Sequence, residues 1–314
     1  MNSDTIKIGI LGIGGIGGFV GAPLAKKYKN STTKIIFICR GKTKKAIQNE
    51  GLIFESKGIK ETIFPDLVSD APTKIGILDV LILTSKSYSI NETLGTYKDC
   101  ISSKTIIITL QNVVNAKEII RETLPEVGQI MEGCIYVASN VKQPGHIQHV
   151  GGPGKIFVGG KENKLLIDLL ENGGLDITYV ENINQILWKK YLFVAPVAAI
   201  TSAYKVTFGQ LMEDQNLMHI LENMMHEIQS LAIKNNIHLT NEDIETSKDL
   251  LSKFPFESKS SLQLDFENNN QTEKHFLVDY VIENAKKYRI ETPFYNGVNE
   301  KIKHLITFCD QNEL

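Results

Sequence analysis

The chain begins with a short apolar run that leads directly into glycines and then into a helical pattern. Ile6–Leu11 is a short, mostly apolar segment, and apolar positions at helical spacing follow over 16–28. Later apolar runs rich in β-branched residues cover 34–39, 79–84 and 105–110. Such runs are typical of strands buried on both faces of a parallel sheet. The first part of the chain therefore predicts alternating strands and helices.

The glycines between the first strand and the first helix have the spacing Gly12-x-Gly14-x-x-Gly17. Gly12 allows a tight turn, Gly14 lets the backbone approach a pyrophosphate, and Gly17 lets the helix pack against the strand. The N–H groups at the start of the helix then face the phosphates. We therefore predict that this turn binds a dinucleotide, together with the intervening Ile13, Gly15 and Ile16.

Arg40 ends the second predicted strand, where the residue that reads the adenosine ribose is expected. Arginine cannot accept a hydrogen bond from a 2′-hydroxyl, but its guanidinium suits a 2′-phosphate. Lys42, Lys44 and Lys45 add positive charge nearby. The pattern predicts NADP(H) rather than NAD(H). The alternative is a solvated strand end and a lysine run that opens the next helix.

The hydrophobic pattern changes after about residue 128. Short runs over 133–138, 146–150, 155–158 and 176–180, punctuated by glycines, predict hairpin-like strands and an antiparallel end to the sheet. Amphipathic segments then predict helices over 183–204, 216–235, 241–253, 272–288 and 294–309. We predict an α/β protein, with a Rossmann-type dinucleotide-binding domain over 1–181 and an all-α domain over 182–314.

Composition narrows the function classes. A net charge of −2 and a pI near 6.4 give no basic field, which argues against a nucleic-acid partner. The four cysteines show no Cys-x-x-Cys spacing and no signal-peptide pattern is seen, so we expect free thiols and a cytoplasmic protein. The apolar stretch 183–204 contains Lys189 and Lys190, which argues against a membrane span. A small-molecule substrate is the expected partner, and a homodimer is compatible with the sequence.

Several polar residues are candidates for chemistry. Lys86 and Asn112 each follow a buried strand, where side chains face the cofactor crevice of a dinucleotide fold. Lys190 shares a predicted helix face with apolar residues, so its ammonium needs a carboxylate, a ligand or water. The alternatives are helix caps or loop residues for Lys86 and Asn112, and a lysine that extends to solvent at a domain edge for Lys190.

Ser261 and Glu273 are candidates for holding a substrate carboxylate and for keeping Lys190 charged and aimed. The alternative is helix capping, for which Ser261 and Thr272 both qualify. The pair His146 and His149 would point to opposite faces of a strand, with no third ligand nearby. We predict no metal site.

Taken in order, these motifs resemble those of the ketopantoate reductase (2-dehydropantoate 2-reductase) family across nearly the whole chain. The glycine turn is generic, whereas the later motifs at these spacings are fairly specific. They are Gly12 to Gly17, Arg40, Thr84-Ser-Lys86, Gln111-Asn112-x-Val-Asn115, Pro144-Gly-His-Ile-x-His149, Leu187-Trp-Lys-Lys190, Ser260-Ser-Leu-x-x-Asp265 and Thr272-Glu273.

The resemblance implies NADPH-dependent reduction of 2-dehydropantoate to pantoate, a step toward pantothenate and coenzyme A. It implies that Lys190 is the general acid, that Glu273 supports it and that Ser261 contacts the substrate. Lys86 and Asn112 would then lie near both cofactor and substrate, and Glu273 near the cofactor.

The chain also departs from the family pattern. Val194 and Ala198 stand where the family often has asparagines, Val113 stands where a glycine commonly follows the strand-end asparagine, and Val278-Asp279 replaces Asn-Gly. These changes leave hydride transfer credible and keep two alternatives open. One is a reductase of a more apolar 2-oxo acid, and the other is a non-catalytic NADP(H) sensor.

Overall fold

The computed structural model describes residues 5–311, and the chain forms two compact units. The first unit comprises the residues up to Gln111 together with Asn115–Ile183. The second comprises Asn112–Val114 and the residues from Asn184 onward. The predicted domain boundary between 181 and 182 lies two residues before this division, and the inclusion of Asn112–Val114 in the second unit was not predicted.

The first unit is built on one ten-stranded mixed sheet with the order β4-β3-β9-β8-β7-β6-β1-β2-β5, and β10 pairs with β9. Neighbouring strands are parallel in one part of the sheet, which consists in order of β5, β2, β1, β6, β7 and β8. The pairs β8/β9 and β3/β4 are antiparallel. The strands are β1 (Ile6–Leu11), β2 (Thr33–Ile38), β3 (Leu52–Ser56), β4 (Ile59–Ile63), β5 (Leu67–Ser69), β6 (Val80–Leu83), β7 (Ile106–Thr109), β8 (Gln129–Gln143), β9 (His146–Gly159) and β10 (Ile177–Tyr179). The helices are α1 (Gly15–Lys27), α2 (Gly41–Glu50), α3 (Pro72–Ile75), α4 (Ile90–Thr96), α5 (Ala116–Thr123) and α6 (Lys164–Asn172).

The continuous apolar runs form the central strands because both faces of the sheet are covered. On β1, Ile8 and Ile10 belong to one hydrophobic core, whereas Leu11 belongs to a second core. On β2, Ile35 and Ile36 divide between the same two cores. Residues adjacent in a strand point to opposite faces, so a strand buried on both sides must be apolar throughout. The predicted α/β class with a parallel sheet is confirmed.

The prediction of short hairpin pieces after residue 128 is wrong in detail. Strands β8 and β9 are instead 15 and 14 residues long and form one extended antiparallel pair. Gly152 and Gly154 have φ of +78° and +76°, and they fall where the register shifts between Tyr136 and Ala138. A bulge of this kind bends a strand without ending it. The glycines were therefore misinterpreted as strand ends.

The second unit is helical. Its helices are α7 (Ile183–Tyr204), α8 (Phe208–Glu213), α9 (Gln215–Lys234), α10 (Asn241–Leu250), α11 (Ser261–Glu267), α12 (Tyr280–Lys287) and α13 (Pro293–Gln311). A π-helical turn over His275–Asp279 leads into α12. By length and composition α7 could cross a membrane, but 78% of its apolar window is buried within the protein. Helix α7 therefore has the character of a core helix.

Candidate functional site

The glycine turn has the geometry of a phosphate cradle. Gly12 has φ +97°, and a Cβ there would lie 2.7 Å from the backbone nitrogen of Ser85. A Cβ on Gly17 would collide with the carbonyl oxygen of Gly12. By contrast, a Cβ on Gly14 would meet no atom within 4 Å. The space over Gly14 and the N-terminus of α1 fit the pyrophosphate of a dinucleotide.

The other residues of the turn contribute to its structure. A Cβ on Gly15 would collide with the carbonyl oxygen of Ser139 on β8, so helix and strand are in close contact there. Ile13 is buried in the core of the first unit, and Ile16 packs against that core. The Ile13 side chain therefore serves packing, so Ile13 would contact a cofactor through its backbone, whereas Ile16 is half-buried.

Arg40 lies at the end of β2 and immediately before α2. Its guanidinium is 80% exposed and 3.6 Å from Glu92, itself 72% exposed. An ion pair this open is weak and readily exchanged for another anion. Arg40 is thus able to turn toward an anionic ligand.

The predicted cluster of positive charge near Arg40 is smaller than the sequence suggested. The Nζ of Lys44 donates to both carboxylate oxygens of Asp70 at 2.8 Å. This hydrogen bond lowers the pKa of Asp70, so the carboxylate is charged and compensates the lysine. Lys42 and Lys45 are exposed. Arg40, Lys42 and Lys45 therefore remain as candidates for a 2′-phosphate.

A buried side chain joins the ends of β6 and β7. The Gln111 amide nitrogen donates to the Ser85 carbonyl oxygen at 2.9 Å, and its amide oxygen accepts from the Thr109 hydroxyl at 2.9 Å. Lys86 follows Ser85 and is half-buried. Gln111 thus fixes the backbone from which Lys86 extends. This role of Gln111 was not predicted, although its position directly before Asn112 was the available signal.

In the second unit, the two adjacent lysines of α7 have different environments. The Nζ of Lys190 donates to the Asn112 side-chain oxygen at 2.7 Å, and both residues are half-buried. The Nζ of Lys189 lies 2.7 Å from the carboxylate of Asp243 and is exposed. Residues adjacent in a helix point about 100° apart, which separates the two amines. The structure therefore brings Lys190 and Asn112 together, whereas Lys189 forms an ion pair with Asp243.

The serine pair divides differently from the sequence interpretation. Ser260, rather than Ser261, is the N-cap of α11: its hydroxyl accepts from the backbone N–H of Gln263 at 3.1 Å. The Ser260 hydroxyl also bonds the Thr201 hydroxyl on α7 at 2.8 Å. Ser261 is the first residue of α11 and is exposed. The capping alternative for Ser261 is thus wrong, and its hydroxyl is accessible to a ligand.

Glu273 lies before the π-helical turn and is only 8% exposed. Its carbonyl oxygen accepts from the backbone N–H groups of Phe276 and Leu277 at 3.0 and 3.1 Å. A buried carboxylate needs a charged or hydrogen-bonding partner. Its predicted support of Lys190 stays a prediction.

The histidine pair is held by neighbouring side chains and backbone. His146 lies 3.1 Å from a carboxylate oxygen of Glu55, and the two ring nitrogens of His149 contact Ser56 and the Gly151 carbonyl oxygen. Among the side chains that the structure describes, no group of three metal-ligating residues is arranged to hold an ion.

Comparison with known proteins identifies the family. A model described as ketopantoate reductase PanE/ApbA matches residues 8–163, and a model of the C-terminal domain of the same reductases matches residues 182–305. The chain belongs to the ketopantoate reductase family. Its members are NAD(P)-dependent oxidoreductases that act on small keto acids.

Two relatives and one solved structure show the range of this ketopantoate reductase family. The chain is 26% identical to the uncharacterized oxidoreductase YkpB of Bacillus subtilis, over 93% of this chain and 96% of that protein. It is 28% identical to 2-dehydropantoate 2-reductase of Pyrococcus horikoshii, covering 92% and 93%. It shares its fold with D-mandelate dehydrogenase in complex with NADH and anilino(oxo)acetate, at a TM-score of 0.85 and 19% identity over 96% and 98%.

In this ketopantoate reductase homologue, the α7 face beyond Lys190 is apolar. Val194, one turn along, packs against the helical core, and Ala198, a further turn along, is buried. Thr201 is the next polar residue of that face, and it is bonded to Ser260. The surroundings of the amine on this side therefore offer van der Waals contact in place of amide hydrogen bonds.

Proposed function

We propose that the protein reduces 2-dehydropantoate to pantoate with NADPH, in the route toward pantothenate and coenzyme A. The observation that carries the proposal is the 2.7 Å hydrogen bond from the Lys190 amine to Asn112, in a chain of this family. The glycine cradle and Arg40 support NADPH as the cofactor. Lys86, Asn112 and Glu273 belong to the proposed cofactor surroundings as well.

Each proposed site residue has a distinct chemical role. A ketone that accepts a hydride develops negative charge on its oxygen, which the Lys190 ammonium stabilises and protonates. The neutral Asn112 oxygen accepts one Lys190 N–H, which fixes the direction of the amine without taking its proton. Glu273 supplies the counter-charge, and the exposed Ser261 hydroxyl contacts the substrate carboxylate. When bound, NADPH supplies the hydride.

We also propose a cytoplasmic location. Cys39, Cys100 and Cys134 form no disulfide within the described part of the chain, as a reducing compartment favours. The side chain of Cys309 lies outside the described part of the chain.

The test compares the two neighbouring lysines of α7 in NADPH oxidation with 2-dehydropantoate. Lys190→Ala removes the proposed acid and should lower kcat by about 10²–10⁴-fold, the usual contribution of general acid catalysis. Lys189→Ala removes only an ion pair with Asp243 and should keep the wild-type kcat. Wild-type turnover by Lys190→Ala would show that the assigned acid is wrong.

A second candidate function is reduction of a more apolar 2-oxo acid. The apolar face formed by Val194 and Ala198 favours it, as does the fold shared with D-mandelate dehydrogenase. The same assay, run with branched and aromatic 2-oxo acids, ranks the substrates by kcat/KM. A higher value than for 2-dehydropantoate would favour the second candidate, whereas NADPH binding without turnover of any acid would indicate a sensor.

A further inference from the structure

We propose that Tyr191 is a positioning residue: its hydroxyl holds helix α7, at the residue next to Lys190, against the π-helical turn that follows Glu273. The inference rests on the proposed function, because it assigns Tyr191 the task of keeping Lys190 and Glu273 in their relative positions. Tyr191 does not itself touch the substrate in this proposal.

The contact that carries the inference is short, and its donor is buried. The Tyr191 hydroxyl donates to the backbone carbonyl oxygen of Phe276 at 2.6 Å, and Tyr191 is 1% exposed. Its ring lies edge-to-face against Trp188 and Tyr280, at centroid distances of 5.9 and 6.2 Å. Burial raises the pKa of Tyr191 well above its usual value, so the phenol stays a donor. Because the ring is packed this closely, a shift of α7 would move the Tyr191 hydroxyl and, through the hydrogen bond, Phe276.

Phe276 is in turn bonded to the backbone of Glu273. The N–H of Phe276 donates to the Glu273 carbonyl oxygen at 3.0 Å, while the carbonyl oxygen of Phe276 accepts from Tyr191. Phe276 is thus held at both of its backbone polar groups. A continuous hydrogen-bonded connection leads from the neighbour of Lys190 to the residue of the proposed counter-charge.

The π-helical turn explains why such a contact is needed. The N–H of Tyr280 donates to the carbonyl oxygen of His275, five residues back instead of four. This geometry is rare and its backbone hydrogen bonds are less regular, so a turn of this kind persists where other contacts hold it. The Tyr191 hydroxyl supplies one such contact from outside the helix. Without it, the segment after Glu273 has one fewer constraint on its distance from α7.

The expected effect on catalysis follows from how strongly the rate of proton transfer depends on the position of the catalytic group. A displacement of a catalytic group by about 1 Å can cost up to about 10²-fold in rate. Losing one hydrogen bond in a packed core should produce a smaller displacement, so we expect kcat to fall by about 3- to 30-fold. The KM for NADPH should change less than kcat, because the glycine turn and Arg40, the proposed phosphate-binding residues, lie in the first unit and are not bonded to Tyr191.

The experiment compares two buried tyrosines of the second unit. Tyr191→Phe removes the hydroxyl that bonds Phe276 and keeps the ring. Tyr295→Phe is the matched control, since Tyr295 is 0% exposed and its hydroxyl has no hydrogen-bond partner among the described residues. Both are assayed for kcat, for the KM of NADPH and for the solvent deuterium isotope effect on kcat, at a temperature where circular dichroism shows the native fold.

The expected result, in Tyr191→Phe alone, is a lower kcat, a larger solvent isotope effect and a KM for NADPH that changes by a smaller factor than kcat. Hydrogen exchange of the peptide covering 273–281 should be faster in that variant, a measurement that stands even if its turnover is too low to assay. Wild-type kcat in Tyr191→Phe, or equal losses in both variants, would overturn the inference while leaving Lys190 as the acid. An active Lys190→Ala would instead overturn the proposed function itself.

Discussion

At the residue scale, Arg40 offers the sharpest test of cofactor preference. It is 80% exposed and bound only weakly to Glu92, so it is available to a 2′-phosphate. Arg40→Ala should raise the KM for NADPH by about 10- to 100-fold, the cost of about 1.5–3 kcal/mol for a charged hydrogen bond. The KM for NADH should stay near its wild-type value. Steady-state kinetics with both cofactors measures this.

The NADH measurement is the internal control for that prediction. If Arg40→Ala weakens the binding of NADPH and NADH equally, the arginine stabilises the fold or binds the part of the dinucleotide that both cofactors share. A wild-type enzyme that prefers NADH would contradict the assignment from the sequence.

Single residues were predictable where periodicity decides their direction. Helical spacing separated Lys190 from Lys189, and the structure gives these lysines different partners, Asn112 and Asp243. The division of roles between Ser260 and Ser261 was not predictable, because either serine satisfies the local rule for an N-cap. What decided it was the bond from Ser260 to Thr201, a contact between residues 59 positions apart.

At the element scale, helix α13 depends on a carboxylate from α9. Glu227 is buried and accepts from the backbone N–H groups of Phe294 and Tyr295 at 2.8 and 3.0 Å. These N–H groups have no partner within their own helix because they lie in its first turn. Glu227→Ala should therefore lower the free energy of unfolding by about 2 kcal/mol. Urea denaturation followed by circular dichroism measures it.

A second glutamate on α9 serves as the control for this prediction. Glu222 lies 3.3 Å from the Lys248 amine, and its side chain is 42% exposed. Glu222→Ala should change stability by less than about 1 kcal/mol, as expected of a surface ion pair. Equal effects of the two substitutions would contradict the capping role of Glu227.

Elements were predictable in proportion to their length and regularity. The helix over 183–204 was predicted with the bounds it has, because 22 residues of apolar pattern leave little ambiguity. Helix α8, of six residues, was missed, and the seven-residue α11 was anticipated only as a possible helix start at Ser261, since such short segments complete fewer than two turns. The β3/β4 hairpin was also missed, although Lys57 and Gly58 both have positive φ at its turn.

At the scale of the whole molecule, the contribution of Glu132 to stability should fall as pH rises from about 4.5 through 7. Burial raises the pKa of Glu132 on β8 to about 7, and Lys117 at 3.9 Å offsets this only in part. Between these pH values the folded state holds a proton that the unfolded state has lost. The stabilisation is therefore complete below about pH 4.5 and is lost above about pH 7.

Glu132→Gln removes this dependence and should raise the unfolding free energy by about 2 kcal/mol at pH 8, with little change at pH 4.5. Glu122→Gln on α5 is the control, because Glu122 is exposed. The measurement is urea unfolding of the ligand-free protein at both pH values. A slope with pH that is the same in wild type and Glu132→Gln would show that Glu132 is not the group responsible.

For the molecule as a whole, the fold class was predictable, whereas the inclusion of residues 112–114 in the helical unit was not. Glycine spacing and apolar runs indicated a nucleotide-binding sheet, and amphipathic segments indicated the helices that follow. The assignment of Asn112–Val114 to the helical unit depends on tertiary contacts, such as the packing of Val114 against the helical core. No local pattern in the sequence reports such contacts.

That interrupted division matters to anyone who recombines related genes. A chimera joined near residue 183 takes its lysine from one parent and the amide that accepts from it, on Asn112, from the other. Two parents whose loops differ at 112–114 would then produce a mismatched pair, although each half folds from a native sequence. Exchange of the helical portion therefore requires that these three residues travel with it.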